Sequence, residues 1–133
     1  VNAERPRVVG DRETLASARP GARLESIDFS GADLTSVGRQ GLMWIDRCSF
    51  ARADLRQATL GGWYFRFCDL TGANLRGASL RDAHFSACDL TGADLRGADL
   101  AGATFGSVGV GKGAKETRLD GVLVDPGVDL SEV

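Results

Sequence analysis

The sequence predicts an all-β solenoid of about four to five coils, and three observations carry that prediction. Between Met43 and Ser107 the chain runs through thirteen five-residue blocks without a break in register. The middle residue of each block is large and apolar, from Ile45, Phe50, Leu55 and Leu60 through to Leu95, Leu100 and Phe105. Cys48, Cys68 and Cys88 are the only cysteines, and they stand twenty residues apart.

A period of five fits neither regular element, because a helix buries positions three and four apart and a strand buries alternate ones. A coil with four short sides meets the pattern, with each side contributing one block and each residue stacking on the one twenty further on. Repeat architectures are held in this way, by contacts between neighbouring units. Sorting by twenty gives internal columns of like shape: Ile45, Phe65, Phe85 and Phe105 on the first side, Phe50, Leu70 and Leu90 on the second, Leu55, Leu75 and Leu95 on the third, and Leu60, Leu80 and Leu100 on the fourth. Two residues before each sits a small one, such as Ala53, Cys68 or Ala93, with Met43 and Trp63 as exceptions.

Blocks such as Ala93-Asp94-Leu95-Arg96-Gly97 and Ala98-Asp99-Leu100-Ala101-Gly102 resemble the A(D/N)LxG units of pentapeptide-repeat proteins. The resemblance runs from about residue 22 to 125 and implies a right-handed quadrilateral β-helix. It implies little about activity, which has to be argued from a site. Some bacterial members bind DNA gyrase by imitating duplex DNA and so protect it from quinolone-type inhibitors, which makes a type II topoisomerase one candidate partner. Such mimicry needs an acidic rod. Between residues 21 and 107 arginines nearly equal acidic residues in number, and only Asp69 and Asp89 on the second side resemble an acidic strip.

Sixteen basic against eighteen acidic residues give a formal charge of −2, so there is no basic footprint for direct nucleic-acid binding and no polybasic membrane anchor. No apolar run approaches the length of a membrane span, and no signal-peptide pattern is present. An odd number of cysteines at interior positions suits a reducing compartment, and the expected location is the cytoplasm.

In chain order, residues 1–21 form an N-terminal capping segment, 22–125 the repeat and 126–133 a C-terminal cap. Asp11 is the expected N-cap of one or two helical turns over 11–17, ended by Pro20 and Gly21. This segment either covers the open edge of the first coil or is a flexible leader. Leu24, Phe29 and Leu34 stand one residue out of phase with Ile45, so Val37–Leu42 holds one inserted residue and bulges from the fourth side. Such a bulge marks a functional site or a tolerated corner insertion. Many glycines close blocks where the backbone turns a corner. Beyond Phe105, Gly106–Gly113 has the spacing of a phosphate loop, yet Gly113 replaces the Ser or Thr that would hold Mg²⁺. Val108 and Val110 are expected to stack above Cys88 and Leu90, and Thr117–Gly121 restores the block form in a partial fifth coil.

Three constellations stand out. The cysteine column is expected to be core, because three ligands in a line on one wall cannot surround a metal. Arg56, Arg76 and Arg96 stack outward beside Asp54, Asn74 and Asp94, either as a self-compensating solvated face or as an anion-docking strip. The first side carries Trp44, Tyr64 and His84 in one outward column, Asp46 and Arg66 in the next and Phe67 at the corner. Trp63 must either enlarge the coil or swing out to join them. This wall is either a contact surface or filler against the N-terminal segment. An enzyme with His84 as base and Tyr64 as donor would lack a nucleophile, a carboxylate pair, a metal set and an enclosed pocket.

The sequence therefore reads as a non-catalytic scaffold, without metal or cofactor. It presents Trp44, Asp46, Trp63, Tyr64, Arg66, Phe67 and His84 to a protein partner or to a second copy of itself as a homodimer. The gyrase-binding reading is the alternative, and a small-molecule or biosynthetic enzyme on the Tyr64/His84 wall a more distant one.

Overall fold

A computed structural model describes residues 8–109 and 113–130. It is a β-solenoid of about five turns, in which the five-residue blocks become short bridges separated by tight turns. Four parallel ladders run along it. The first holds the true strands: β2 (Arg23–Glu25), β4 (Met43–Asp46), β5 (Trp63–Arg66), β6 (His84–Ser86) and β7 (Thr104–Val108), each hydrogen-bonded to the next. The other three are chains of single bridges, such as Ser49 to Asp69 to Asp89, Asp54 to Asn74 to Asp94, and Thr59 to Ser79 to Asp99. Each coil therefore satisfies its backbone groups on its neighbours, which is what the twenty-residue spacing demands.

The core is the stack of columns read from the sequence. Phe65 and Phe85 lie parallel with ring centroids 4.7 Å apart, and Phe105 continues the stack at 5.2 Å. Leu55, Leu75 and Leu95 are buried, as are Ala53, Ala73 and Ala93 beside them. The cysteines are buried and not disulfide-bonded, and the thiols of Cys68 and Cys88 each donate at 3.3 Å to a carbonyl of the coil below, that of Ile45 and Phe65 respectively. Corners need positive φ: Gly97 (74°) and Gly77 (69°) stack on Gln57, which adopts the same conformation at 60° despite its side chain. That side chain lies over Gly77, where a methyl group would fall 2.3 Å from the amide nitrogen.

The first coil is out of step in the expected place. Arg23 pairs with Trp44 and Gly38 with Thr59, a spacing of 21, whereas Met43 pairs with Trp63 at 20, so the extra residue lies in the Arg39–Leu42 turn. As a result the column beneath Leu60 lacks an apolar residue of its own, because Arg39, which the pairing of Gly38 with Thr59 sets there, and Gln40 are exposed. Trp63 supplies the missing volume. It neither swings out to the surface nor stands free: it is 1 % exposed, and its indole N–H donates to the Arg39 carbonyl at 3.0 Å.

Ahead of the first coil, β1 (Val8–Val9) pairs in parallel with β3 (Ile27–Asp28). Helix α1 (Arg12–Ala16) follows, with Asp11 at its N-cap in a reciprocal capping box with Thr14, and it lowers Leu15 onto the core. A cavity of about 400 Å³ remains between α1, the Ser36–Arg39 turn, Met43 and Trp63.

The far end departs from expectation. Val108 does not stack above Cys88; it turns away into an antiparallel pairing with β8 (Lys115–Glu116). Thr117 takes the place above Cys88, accepting its N–H at 3.2 Å and donating to the Phe85 carbonyl at 3.0 Å. Leu90 then bonds to Arg118 and Leu95 to Leu123, so the fifth coil is built from 117–124. The physical reason is that Thr117 fills a position that wants a small residue and satisfies three backbone groups there, its own N–H donating to the Gly106 carbonyl at 3.1 Å. Val110, Gly111 and Lys112, and with them the Gly-Lys pair of the phosphate-loop spacing, lie outside the described residues. No described helix is long and apolar enough to cross a membrane.

Candidate functional site: the first wall

Strand alternation within the first ladder turns Ile45, Phe65 and Phe85 inward and their neighbours outward. Parallel register then places Arg23, Trp44, Tyr64, His84 and Thr104 directly over one another. The rings form a continuous stack, with Trp44 to Tyr64 at 4.7 Å and Tyr64 to His84 at 4.4 Å. Arg23 continues it below, its guanidinium 5.7 Å from the Trp44 ring. Above, His84 Nδ1 lies 2.6 Å from the Thr104 hydroxyl. Trp44 and Tyr64 are each 37 % exposed. Helix α1 lies beneath the first coil and not over this wall, so the N-terminal residues that the structure describes leave the stack open.

The adjoining column holds Glu25, Asp46, Arg66 and Ser86. Asp46 points out of the rod yet is 4 % exposed, because guanidinium groups cover it: Arg47 at 3.1 Å, Arg23 at 3.5 Å and Arg66 at 3.7 Å. Phe67, at the corner, lies under two of the same arginines, with Arg47 4.7 Å and Arg66 5.7 Å from its ring. A shallow groove of about 60 Å³ runs between the aromatic and charged columns.

Of the seven residues expected here, Trp44, Tyr64, His84, Arg66 and Phe67 share the wall and its corner. Trp63 and Asp46 do not offer surface: the first is core, and the second is the buried counter-ion that gathers the arginines. Sequence reasoning missed Arg23 and Arg47. Arg23 was hidden by the phase shift of the first coil, and adding 21 to its number would have placed it under Trp44. Arg47 sits at a corner position where side-chain direction does not follow from the period.

The third face behaves as a self-compensating surface. Arg56 clasps Asp54 through two hydrogen bonds of 2.9 and 2.7 Å, and Arg96 clasps Asp94 identically. The Arg96 side-chain hydrogen bonds, opposed by partial burial, hold the Asp94 carboxyl at about 2, below its ordinary 3.8. Arg76 reaches the same carboxylate at 3.7 Å. In the cysteine column, hydrogen bonding to the Cys88 side chain and burial push the Cys68 thiol far up. No cluster of His, Cys, Asp or Glu among the described residues is arranged to hold a metal.

Residues 48–106 match the family model of pentapeptide repeats, in overlapping segments 48–86 and 68–106. With the solenoid already traced, this makes the chain a pentapeptide-repeat protein. A trypsin-treated variant of QnrB1, a plasmid-mediated fluoroquinolone resistance protein, is similar at 27 % identity and a TM-score of 0.50, over 86 % of this chain and 52 % of that one. A pentapeptide repeat protein from the thylakoid lumen of Arabidopsis thaliana is similar at 25 % identity and a TM-score of 0.55, over 77 % of this chain and 75 % of that one. The chain thus spans about half the length of the QnrB1 structure it matches. No curated protein matches it by sequence.

Proposed function

We propose that this protein is a non-catalytic interaction scaffold whose working surface is the first wall, centred on Trp44, Tyr64 and His84, and that its partner is a protein. The observation that carries the reading is the open ring stack. Surface aromatics held rigid by the ladder lose little entropy on binding and expose apolar area that association would cover. Arg12, Arg56 and Arg96 on the other faces are engaged in local pairs. The stack also argues against His84 as a base, since Tyr64 and His84 meet face to face and Nδ1 is engaged by Thr104. A photo-crosslinking residue at position 64 is expected to trap the partner from cells of the source organism, and the same residue at position 76 is not. Trapping at 76 alone would move the surface to the third face.

A second reading is a type II topoisomerase as that partner. It is favoured by the similarity to QnrB1 and by the second-side ladder, where Asp28, Asp69 and Asp89 present carboxylates along the rod. Supercoiling by DNA gyrase, with a fluoroquinolone and with or without the protein, tests it. Protection supports this reading, and unchanged inhibition at saturating protein removes it.

A further inference from the structure

The arginines of the first wall are far less satisfied than Arg56 and Arg96 of the third face. Arg56 and Arg96 each hold a carboxylate of their own with two short bonds. Arg23, Arg47 and Arg66, each about half exposed, share the single carboxylate of Asp46. Only Arg47 is at an ordinary bonding distance, and a guanidinium carries five N–H donors. Among the described residues no other carboxylate lies within ion-pairing distance of these three. Glu25 stands one coil below Asp46 in the same column and pairs with none of them; even counting it, the corner keeps one guanidinium in excess. The groups are also pre-arranged. Arg47 and Arg66 lie against the Phe67 ring and Arg23 against Trp44, which fixes the planes of the guanidiniums.

We propose that this corner, with the Trp44–Tyr64 stack beside it, docks an acidic, extended segment of the partner protein. Carboxylates of the segment pair with Arg23 and Arg66, and an aromatic or aliphatic side chain between them lies in the groove against Tyr64. The spacing fits: the Arg23 and Arg66 guanidiniums reach the same Asp46 oxygen, at 3.5 and 3.7 Å, so they converge to within about 7 Å of each other, and carboxylates two residues apart in an extended chain span about 7 Å. Asp46 is the positioning residue, which gathers the three guanidiniums while leaving most of their donors free. The inference rests on the first wall being the interaction surface and adds the chemistry of what it accepts. That chemistry is opposite in sign to what an acidic DNA mimic would offer its target.

The test is fluorescence polarisation of labelled nine-residue peptides alternating Glu and Phe, or Lys and Phe, with the intact protein, with citrate and duplex DNA as competitors. The Glu peptide is expected to bind and the Lys peptide not to, and neither competitor displaces it at equal charge. Arg23→Gln with Arg66→Gln, which leaves Asp46 paired to Arg47 and the fold intact, is expected to weaken binding about tenfold or more. Arg56→Gln with Arg96→Gln is expected to leave it unchanged. Equal binding of both peptides, displacement by citrate or DNA, or equal loss in both arginine pairs overturns the proposal, as does the absence of binding to the Glu peptide. Trapping of a partner at position 64 that survives Arg23→Gln with Arg66→Gln would sink this inference alone and leave the wall as the interaction surface.

Discussion

The indole N–H of Trp63 donates to the carbonyl oxygen of Arg39 at 3.0 Å, joining the residue that breaks the small-residue column to the turn that breaks the register. The two irregularities compensate each other. The insertion removes the apolar side chain that would lie beneath Leu60, and the one oversized side chain fills that place while satisfying the turn's backbone.

Trp63→Ala is accordingly expected to destabilise the protein by about 3 to 5 kcal/mol, the usual range for emptying a buried aromatic site. Tyr64→Ala, next to it but facing out, should lose no more than about 1.5 kcal/mol, the worth of an aromatic pair. Urea midpoints of the two variants decide the matter, and equal losses would mean that Trp63 is not the plug.

Ala73 is fully buried between the Leu70 and Leu75 columns, and Arg76 is half exposed with one long ion pair to Asp94. Ala73→Leu is expected to lose about 1 to 3 kcal/mol through overpacking. Arg76→Ala should lose less than about 0.5 kcal/mol, as surface changes commonly do. Coincident denaturation midpoints would contradict the block assignment.

Cys48, Cys68 and Cys88 are expected to resist a bulky thiol reagent in the native protein and to react on unfolding. They are enclosed, and the Cys68 thiol is held protonated by its hydrogen bond with the Cys88 side chain and by burial. Rapid labelling of any of them without unfolding would place the column outside.

The Asp94 carboxyl, held at about 2 in the folded protein against an ordinary 3.8, binds its proton less readily folded than unfolded. Its contribution is therefore complete well above pH 3.8 and is lost as the pH falls through 3.8 towards 2. Asp94→Asn isolates that charge, since Asn74 already makes the same turn one coil below, accepting the Arg76 N–H at 3.2 Å. At neutral pH the variant should be less stable by up to about 1 kcal/mol, because the pair faces solvent. Below about pH 2 the two proteins should converge. A gap that persists in acid would show that the loss comes from something other than the ion pair.

The coil of twenty, the ring and leucine columns, the cysteine column, the site of the insertion and the Asp11 cap were all legible, because each follows from counting along a repeat whose period admits one geometry. Trp44, Tyr64 and His84 were placed correctly for the same reason. Trp63 was not, since the period says where a side chain starts and not whether a neighbouring coil has left room for it. Arg47 and the burial of Asp46 depended on how long side chains fold back over a wall, which no pattern encodes. Val108 was misplaced because the repeat was extended by count into a glycine-rich segment, where β7 and β8 form a hairpin and Thr117 restarts the coil nine residues further on.

The central claim is that the first wall is the working surface. Aromatic anchors in protein interfaces often carry about 2 kcal/mol or more each. The decisive measurement is partner binding and self-association of Trp44→Ala with Tyr64→Ala, set against Arg56→Ala with Arg96→Ala, in samples shown to keep the β-rich fold. The aromatic pair is expected to abolish partner binding or self-association, and the arginine pair to change either much less. Undiminished association without the two rings, together with its loss in the arginine variant, would contradict the account.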